Sequence, residues 1–266
     1  MNPTRPAAVA GTFYPGDPAI LAATVDRLLG EAGTPAGTPP KVLIVPHAGY
    51  IYSGATAATA YARLASVRRL IRRVVLLGPT HRVAVEGLAL PECSAFATPL
   101  GNIPLDAAAI AQLRAMPQII FSDRVHAQEH SLEVHLPFLQ RVLDDFQLVP
   151  LAVGDARPAA VAEVLDLLWG GPETLIVISS DLSHFQSYAT AQQTDLGTCR
   201  QIVKLATDIR PEQACGAYPL NGLLLTARRR GLTPELLELC NSGDTAGDRQ
   251  RVVGYAAFAL PEASDA

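Results

Sequence analysis

Residues 41–49 read KVLIVPHAG, a short apolar run that leads directly into a turn of small residues around His47. The same design recurs twice, because residues 73–81 read RVVLLGPTH and residues 175–184 read LIVISSDLSH, ending at His81 and His184. Short runs of Val, Ile and Leu are typical of strands that are buried on both faces. The sequence therefore predicts three buried strands, each followed by a histidine.

Helical patterns separate these strands along the chain. Further strands are predicted over residues 146–153, 236–240 and 251–260, and helices over residues 18–29, 54–66, 106–116, 158–169, 189–207 and 219–230, the last stopped by Gly231. Residues 83–104 are expected to form an antiparallel flap, and residues 31–40 to connect the first helix to the first strand. Strand–helix alternation predicts an α/β fold, with residues 1–266 forming a single three-layer domain around a mostly parallel central sheet.

The composition limits the class of protein. Hydrophobic residues make up 49% of the 266 and charged residues 17%, which is enough to bury a core and argues against disorder. A net charge of −4 argues against a nucleic-acid partner. No run approaches the roughly 18 consecutive apolar residues that a membrane span needs. The four cysteines form no C-x-x-C pair and the first residues lack a secretory pattern, so we expect a cytoplasmic protein without disulfides.

The three strand-end histidines are expected to meet. Ligands of open α/β sheets bind beyond the carboxyl ends of the strands, so neighbouring parallel strands would bring His47, His81 and His184 to one edge. Imidazole is the commonest transition-metal ligand and titrates near neutrality. The pattern predicts a metal or acid–base site, provided that the three strands are near neighbours.

A second histidine-rich segment, residues 126–135, reads HAQEHSLEVH. It lacks the H-E-x-x-H pattern of zinc proteases. Ser131 is expected to cap a helix that Pro137 kinks, which would point Glu129, His130 and His135 towards the site. The alternative is that these side chains only bind loop backbone.

Motifs of other enzyme classes are missing from the sequence. It contains no G-x-S-x-G elbow, no G-x-G-x-x-G fingerprint and no P-loop. Cys215 is either a reactive thiol or a small buried side chain, and Tyr50 and Tyr52 either line a substrate cavity or pack in the core. The residues alone leave these alternatives open.

Several stretches, in this order, resemble the Memo family: RPAAVAGTFYP from residue 5, PHAGYIYSG from 46, LGPTH from 77, EHSLEVHLPFL from 129, SSDLSH from 179, ACGAYPLNGLL from 214, and NSGD followed by VVGYAAFAL at the end. The resemblance implies a fold similar to class III extradiol dioxygenases, enzymes that open catechol rings with non-haem Fe(II). It also implies a partner, because bacterial and archaeal members resemble one component of the AmmeMemoRadiSam set, which includes a radical S-adenosylmethionine protein.

The resemblance also implies site residues. His47 and His81 would be metal ligands, and His184 would be the proton-transfer residue with Asp181 beside it. Asp244 would complete a two-histidine, one-carboxylate site for Fe(II), whereas Cys240 in its place would favour zinc or copper. The residues expected to bind substrate are Tyr50, Glu129, His130, His135 and Cys215.

Three functions remain open at this stage. The first is a metal-dependent, dioxygenase-like oxidoreductase that acts on a small molecule. The second is a non-catalytic adaptor that uses the histidine-lined cleft for a peptide or other ligand. The third is a zinc hydrolase with a third nitrogen ligand. The low content of charged residues is also compatible with a homodimer.

Overall fold

The computed structural model describes residues 3–33 and 37–262, so residues 34–36 of the predicted connection over 31–40 lie outside the described residues. The strands are β1 Thr4–Arg5, β2 Pro40–Val45, β3 Arg73–Pro79, β4 Leu88–Leu90, β5 Ala95–Thr98, β6 Gly101–Pro104, β7 Ile119–Phe121, β8 Gln147–Val153, β9 Thr174–Ser179, β10 His184–Gln186, β11 Glu235–Asn241 and β12 Val252–Pro261. The α-helices are α1 Pro18–Glu31, α2 Tyr50–Ala62, α3 Ala107–Leu113, α4 Asp123–Ala127, α5 Leu136–Val142, α6 Pro158–Leu168, α7 Tyr188–Val203 and α8 Ala217–Arg230.

The central sheet has the strand order β10-β12-β2-β9-β3-β8-β4-β7, with β11 paired to β12. Its middle strands β2, β9, β3 and β8 are parallel to one another. The pairs on either side, β12–β2 and β4–β8, are antiparallel. The predicted parallel sheet is thus confirmed in its centre, and antiparallel strands flank it.

Helices cover the central sheet. Every residue of β2 and β9 is buried, which requires cover on both faces. Helices α1, α2 and α5 pack together, with α2 on β2 and β12, and helices α6 and α8 pack together, with α8 on β3 and β9. The three-layer α/β fold is confirmed.

The parallel strands end at the same edge of the sheet. Val45 at the end of β2 is paired with Ser179 at the end of β9, and Pro79 at the end of β3 is paired with Val153 at the end of β8. The chain segments that carry His47, His81 and Asp181 therefore leave the sheet at one edge. This edge is where the fold positions a ligand site.

Two local predictions are corrected. The segment 83–104 does not form one flap, because β4 joins the central sheet while β5 and β6 form a hairpin that pairs with β1. Ser131 caps no helix, because its hydroxyl donates to the Pro79 carbonyl at 2.7 Å. Pro137 does not kink a helix but lies in the first turn of α5, where a missing N–H costs nothing.

Other predicted boundaries shift by a few residues. Helix α2 begins at Tyr50 instead of residue 54, so it starts directly after the His47 turn. Helix α8 ends where predicted, since Gly231 adopts the left-handed conformation with φ of 68°. None of the helices in the described ranges combines the length and the apolar composition that a bilayer crossing requires.

Candidate metal centre

Three imidazoles meet beyond the ends of β2 and β3. The ring centroids of His47 and His81 are 5.2 Å apart, those of His47 and His130 5.5 Å, and those of His81 and His130 4.6 Å. One nitrogen from each ring lies within 4.8 Å of the others, the spacing of atoms that share an ion. The predicted convergence of His47 and His81 is confirmed, and His130 joins them.

A serine at the end of β9 fixes the His47 ring. The Ser179 hydroxyl donates its only hydrogen to the Ser131 carbonyl at 2.6 Å, so it can only accept from its other neighbours. It accepts from His47 Nδ1 at 2.6 Å and from His135 Nε2 at 2.8 Å, while His135 Nδ1 accepts from the Tyr61 hydroxyl at 2.9 Å. His47 therefore carries its proton on Nδ1, and its Nε2 lone pair is left for a ligand.

Glu129 fixes the His81 ring, as Ser179 fixes that of His47. Its carboxylate accepts from His81 Nδ1 at 2.9 Å, and from the backbone N–H groups of His81, His130 and Ser131 at 2.5, 2.9 and 3.0 Å. Burial alone would raise the pKa of Glu129, but these hydrogen bonds and His81 outweigh it and hold the pKa at about 2. The carboxylate stays ionised and orients His81, as outer partners of metal-bound histidines do.

The surroundings favour the neutral forms of His47 and His130. Burial lowers the pKa of His47 well below its usual value, and the neighbouring histidines lower it further. Burial, with the adjacent His81, lowers the pKa of His130 to about 4. Neutral rings offer lone pairs, and metal binding requires them.

Asp181 and Cys215 lie next to His47. The Asp181 carboxylate accepts from the His47 backbone N–H at 2.8 Å, and its other oxygen lies 4.0 Å from His47 Nε2. The Cys215 sulfur lies 3.4 Å from the same Nε2. Burial raises the pKa of Asp181 to about 6 and also raises the pKa of the Cys215 thiol. These groups add a carboxylate and a thiol to the surroundings of the three nitrogens.

A cavity of about 550 Å³ opens beside the histidines. Its wall consists of Phe13, Ala48, Gly49, Tyr52, His130, Asp181, His184, Ser242, Ala246, Gly247, Asp248, Arg251, Val253 and Tyr255. His184 Nδ1 donates to the Leu182 carbonyl at 2.8 Å, so the neutral ring keeps its lone pair on Nε2. The structure thus brings His184 and Asp181 to the cavity that His130 also lines.

The N-terminal segment is fixed against this site by a buried ion pair. Arg5 donates to Glu133 at 2.5 Å and to the carbonyls of His126 and Glu129 at 2.7 and 2.6 Å. Glu133 also accepts from the Tyr14 hydroxyl at 2.6 Å. Residues 5–14 are therefore held in place on both sides of Phe13.

The predicted third ligand, Asp244, lies elsewhere. Its carboxylate accepts from the Tyr188 hydroxyl and from the backbone N–H of Asn241, which caps a short 3₁₀ helix. Asp244 and Cys240 line a different cavity, of about 320 Å³. Among the described residues, neither belongs to the group of atoms within 4.8 Å of one another, and His130 takes the third place. The side chains that the structure brings together are thus three imidazoles, and the expected partner Asp244 is not among them.

Three residues expected to bind substrate lie behind the cavity wall. Tyr50 is buried against Phe138 at 4.9 Å and donates to the Val134 carbonyl at 2.8 Å, while Tyr52 reaches the cavity. His135 and Glu129 are buried, and they hold the rings of His47 and His81, His135 doing so through Ser179. Sequence reasoning missed Ser179 and Arg251, although Ser179 stands two residues before Asp181 in a motif that it had singled out.

Comparison with known proteins identifies relatives along almost the whole chain. A family model described as Memo-like protein matches residues 5–259. A MEMO1 family protein of Ignicoccus hospitalis is 34% identical, covering 97% of this chain and 98% of the relative. One from Aquifex aeolicus is also 34% identical, covering 94% and 97%. A solved structure of an uncharacterized protein from Escherichia coli aligns at a TM-score of 0.52 with 12% identity, covering 82% of this chain and 98% of that one, a similarity of fold alone.

Proposed function

This chain belongs to the Memo family, and from that premise we propose that it is a metal-dependent enzyme acting on a small molecule, with His47, His81 and His130 holding the ion. The observation that carries the proposal is the set of three ring nitrogens within 4.8 Å of one another. The hydrogen bonds of Ser179 and Glu129 support it, because they leave the Nε2 atoms of His47 and His81 free.

The donor set fits a divalent transition metal. Imidazole nitrogens suit iron, zinc, copper and nickel, whereas calcium and magnesium prefer oxygen ligands. We propose Fe(II) and an oxidoreductase of the dioxygenase type, supported by the Asp181 carboxylate 4.0 Å from His47 Nε2. A bound Fe(II) would supply a place where dioxygen and a chelating substrate bind together.

The protein's own groups would handle protons. His184 has its lone pair on Nε2 and lines the cavity, so it can take a proton from a substrate hydroxyl. The aromatic side chains Phe13, Tyr52 and Tyr255 would exclude water from a bound molecule. His47 and His81, held through their Nδ1 atoms, cannot turn to expose the wrong nitrogen.

Zinc hydrolysis is the second candidate function. The third nitrogen favours it, because three imidazoles hold zinc in enzymes that activate a water molecule. In that case the same cavity would bind an ester or amide, and the bound water would be the nucleophile.

Anaerobic metal titration tests the proposal. We expect one Fe(II) per chain by elemental analysis, and loss of binding by more than about 100-fold in each of His47→Ala, His81→Ala and His130→Ala, because removal of a ligand costs more than loss of its outer partner. Asp244→Asn is the matched control and should bind as the wild type does. Iron retained by the His47→Ala/His81→Ala double variant would overturn the site.

Two further measurements separate the functions. Oxygen uptake by the Fe(II)-loaded protein with candidate catechols supports the oxidoreductase, while zinc in protein purified without added metal, with esterase activity, supports the hydrolase. Strong binding of peptides by metal-free protein on a peptide array would contradict both enzymes and favour an adaptor.

A further inference from the structure

The cavity beside the histidines has an aromatic wall. Phe13, Tyr52 and Tyr255 all line it, and the Phe13 ring packs against His130 with centroids 4.7 Å apart. Phe13 cannot easily move away, because the buried Arg5–Glu133 pair fixes the segment around it. Aromatic walls favour a flat ring, since stacked and edge-to-face contacts add to the gain from burial.

One cation, Arg251, lines the same cavity. In the described ranges its guanidinium neither donates to a protein acceptor nor forms an ion pair, and it lies over the Phe185 ring at 5.0 Å. The neighbouring Arg249 differs, because it donates to the Gly243 carbonyl and lies over Tyr188. Arg251 therefore offers its whole planar fork of donors to a ligand, and such a fork matches a carboxylate.

Phe185, whose ring packs against Arg251, has a strained backbone conformation. Its backbone has φ of 59°, a left-handed conformation that is unusual for an aromatic residue, and its side chain is 62% exposed. Strained residues of this kind concentrate at functional sites. Here the strain places a ring directly after His184 and against the guanidinium of Arg251.

We propose that the cavity binds a planar aromatic molecule with a single carboxylate, its ring between the aromatic side chains and its carboxylate on Arg251. This substrate class rests on the proposed function, which places the reacting part of the molecule beside the histidines. A carboxylate suits the site better than a phosphate, because Asp181 and Asp248 also line the cavity and would repel a second negative charge.

The test compares two probes of the same shape, benzoate and its neutral amide benzamide. Their dissociation constants are measured by NMR titration of the full chain, both metal-free and zinc-loaded. We expect benzoate to bind about tenfold more tightly than benzamide, as one charged hydrogen-bonding pair contributes roughly that factor. Arg251→Gln should remove the difference between the two dissociation constants.

Two variants sharpen the assignment. Arg249→Gln should keep the preference for benzoate, because that guanidinium is engaged elsewhere. Phe185→Asn, which tolerates the left-handed backbone, should weaken benzoate binding several-fold by releasing Arg251. Phenyl phosphate, which carries a second charge, should bind more weakly than benzoate.

The proposal is wrong if wild-type protein does not prefer benzoate, if Arg251→Gln keeps the preference, or if phenyl phosphate binds more tightly. Its failure is distinct from failure of the metal site. Metal titration of the histidine variants reports on the ion, whereas the benzoate preference is read in metal-free protein as well.

Discussion

The two polar segments next to the site, residues 126–135 and 241–248, use their acidic side chains in opposite ways. Glu129 and Glu133 are almost completely buried and accept hydrogen bonds from residues far away in the chain, among them His81 and Arg5. Asp244 and Asp248 lie in an exposed loop and accept from backbone groups within ten residues of themselves, and Asp244 also accepts from the Tyr188 hydroxyl at the surface.

The difference shows which carboxylates can take part in a metal site. A carboxylate with distant partners fixes one part of the fold relative to another, and Glu129 thereby orients His81. The Asp244 carboxylate caps its own loop and contacts Tyr188 of helix α7 at the surface, so it orients neither His47 nor His81. Asp244 follows the pattern expected for a ligand in the sequence, yet its oxygens are already used by Tyr188 and Asn241.

The largest expected effect breaks the buried pair in the first segment. Arg5→Met leaves Glu133 charged and without its partner, and should lower the free energy of unfolding by about 3–5 kcal/mol. Arg27→Met removes an exposed pair with Glu31 and should cost less than about 1 kcal/mol. Urea unfolding measures both, and equal losses would contradict the contrast between buried and exposed pairs.

The second prediction concerns His126 at the start of the same segment. Burial lowers the pKa of His126 to about 4, although its Nε2 donates to the Ala89 carbonyl. The unfolded chain binds a proton near pH 6.5 and the folded chain does not, so stability is full above pH 6.5 and falls as the pH drops towards 4. Between pH 7.5 and 4.5 this histidine should cost about 2–3 kcal/mol.

The effect of pH on stability is measured as the difference between the wild type and His126→Gln. Asp181, with its raised pKa, acts in the opposite sense, while His47 and His130, with lowered pKa values, act in the same sense, so wild type alone mixes several contributions. His126→Gln keeps a donor for Ala89 and removes the titration. Urea unfolding at both pH values should show a smaller acid loss in the variant, and an identical pH dependence would contradict the assignment.

The third prediction concerns metal affinity and compares one carboxylate from each segment. Glu129→Gln removes the charge that orients His81 and should weaken metal binding by about 10- to 100-fold. Asp244→Asn should leave the affinity unchanged, because Asp244 is outside the group of ring nitrogens. Anaerobic competition titrations measure the dissociation constants of both variants. A larger loss of affinity in Asp244→Asn than in Glu129→Gln would favour the two-histidine, one-carboxylate site.

The smallest effect is expected for stability in the second segment. Asp244→Ala removes an exposed contact with Tyr188 and a part-buried bond to the Asn241 backbone N–H, so the free energy of unfolding should fall by about 1 kcal/mol or less. A loss as large as that of Arg5→Met would mean that the loop contributes to the core.

The fold was predictable because it depends on local patterns. The buried strands ending at His47 and His81 are visible as runs of Val, Leu and Ile, and parallel strands must end at one edge. The flanking strand β10 was missed, since three residues around the strained Phe185 carry no periodic signal.

The site was predictable only in part, for a physical reason. His130 follows no strand, and its place next to His81 depends on Glu129, which binds the backbone of the adjacent His130 and of His81, 48 positions away. Ser179 fixes the His47 ring through a proton that it donates to Ser131. The spacing of residues along the chain does not predict which distant groups donate to or accept from one another. The cap that Asp244 forms on Asn241, by contrast, joins residues three positions apart.

The order of the site residues along the chain has a consequence for how such proteins diversify. The three ring nitrogens come from residues 47, 81 and 130, whereas most of the outer cavity wall comes from residues 181–185 and 242–255. Changes in residues 242–255 can alter which molecule enters and leave in place Ser179, Asp181 and Glu129, which contact His47 and His81. New specificities are therefore accessible by exchanging the loop before β12 between relatives, with the part of the chain that carries His47, His81 and His130 kept intact.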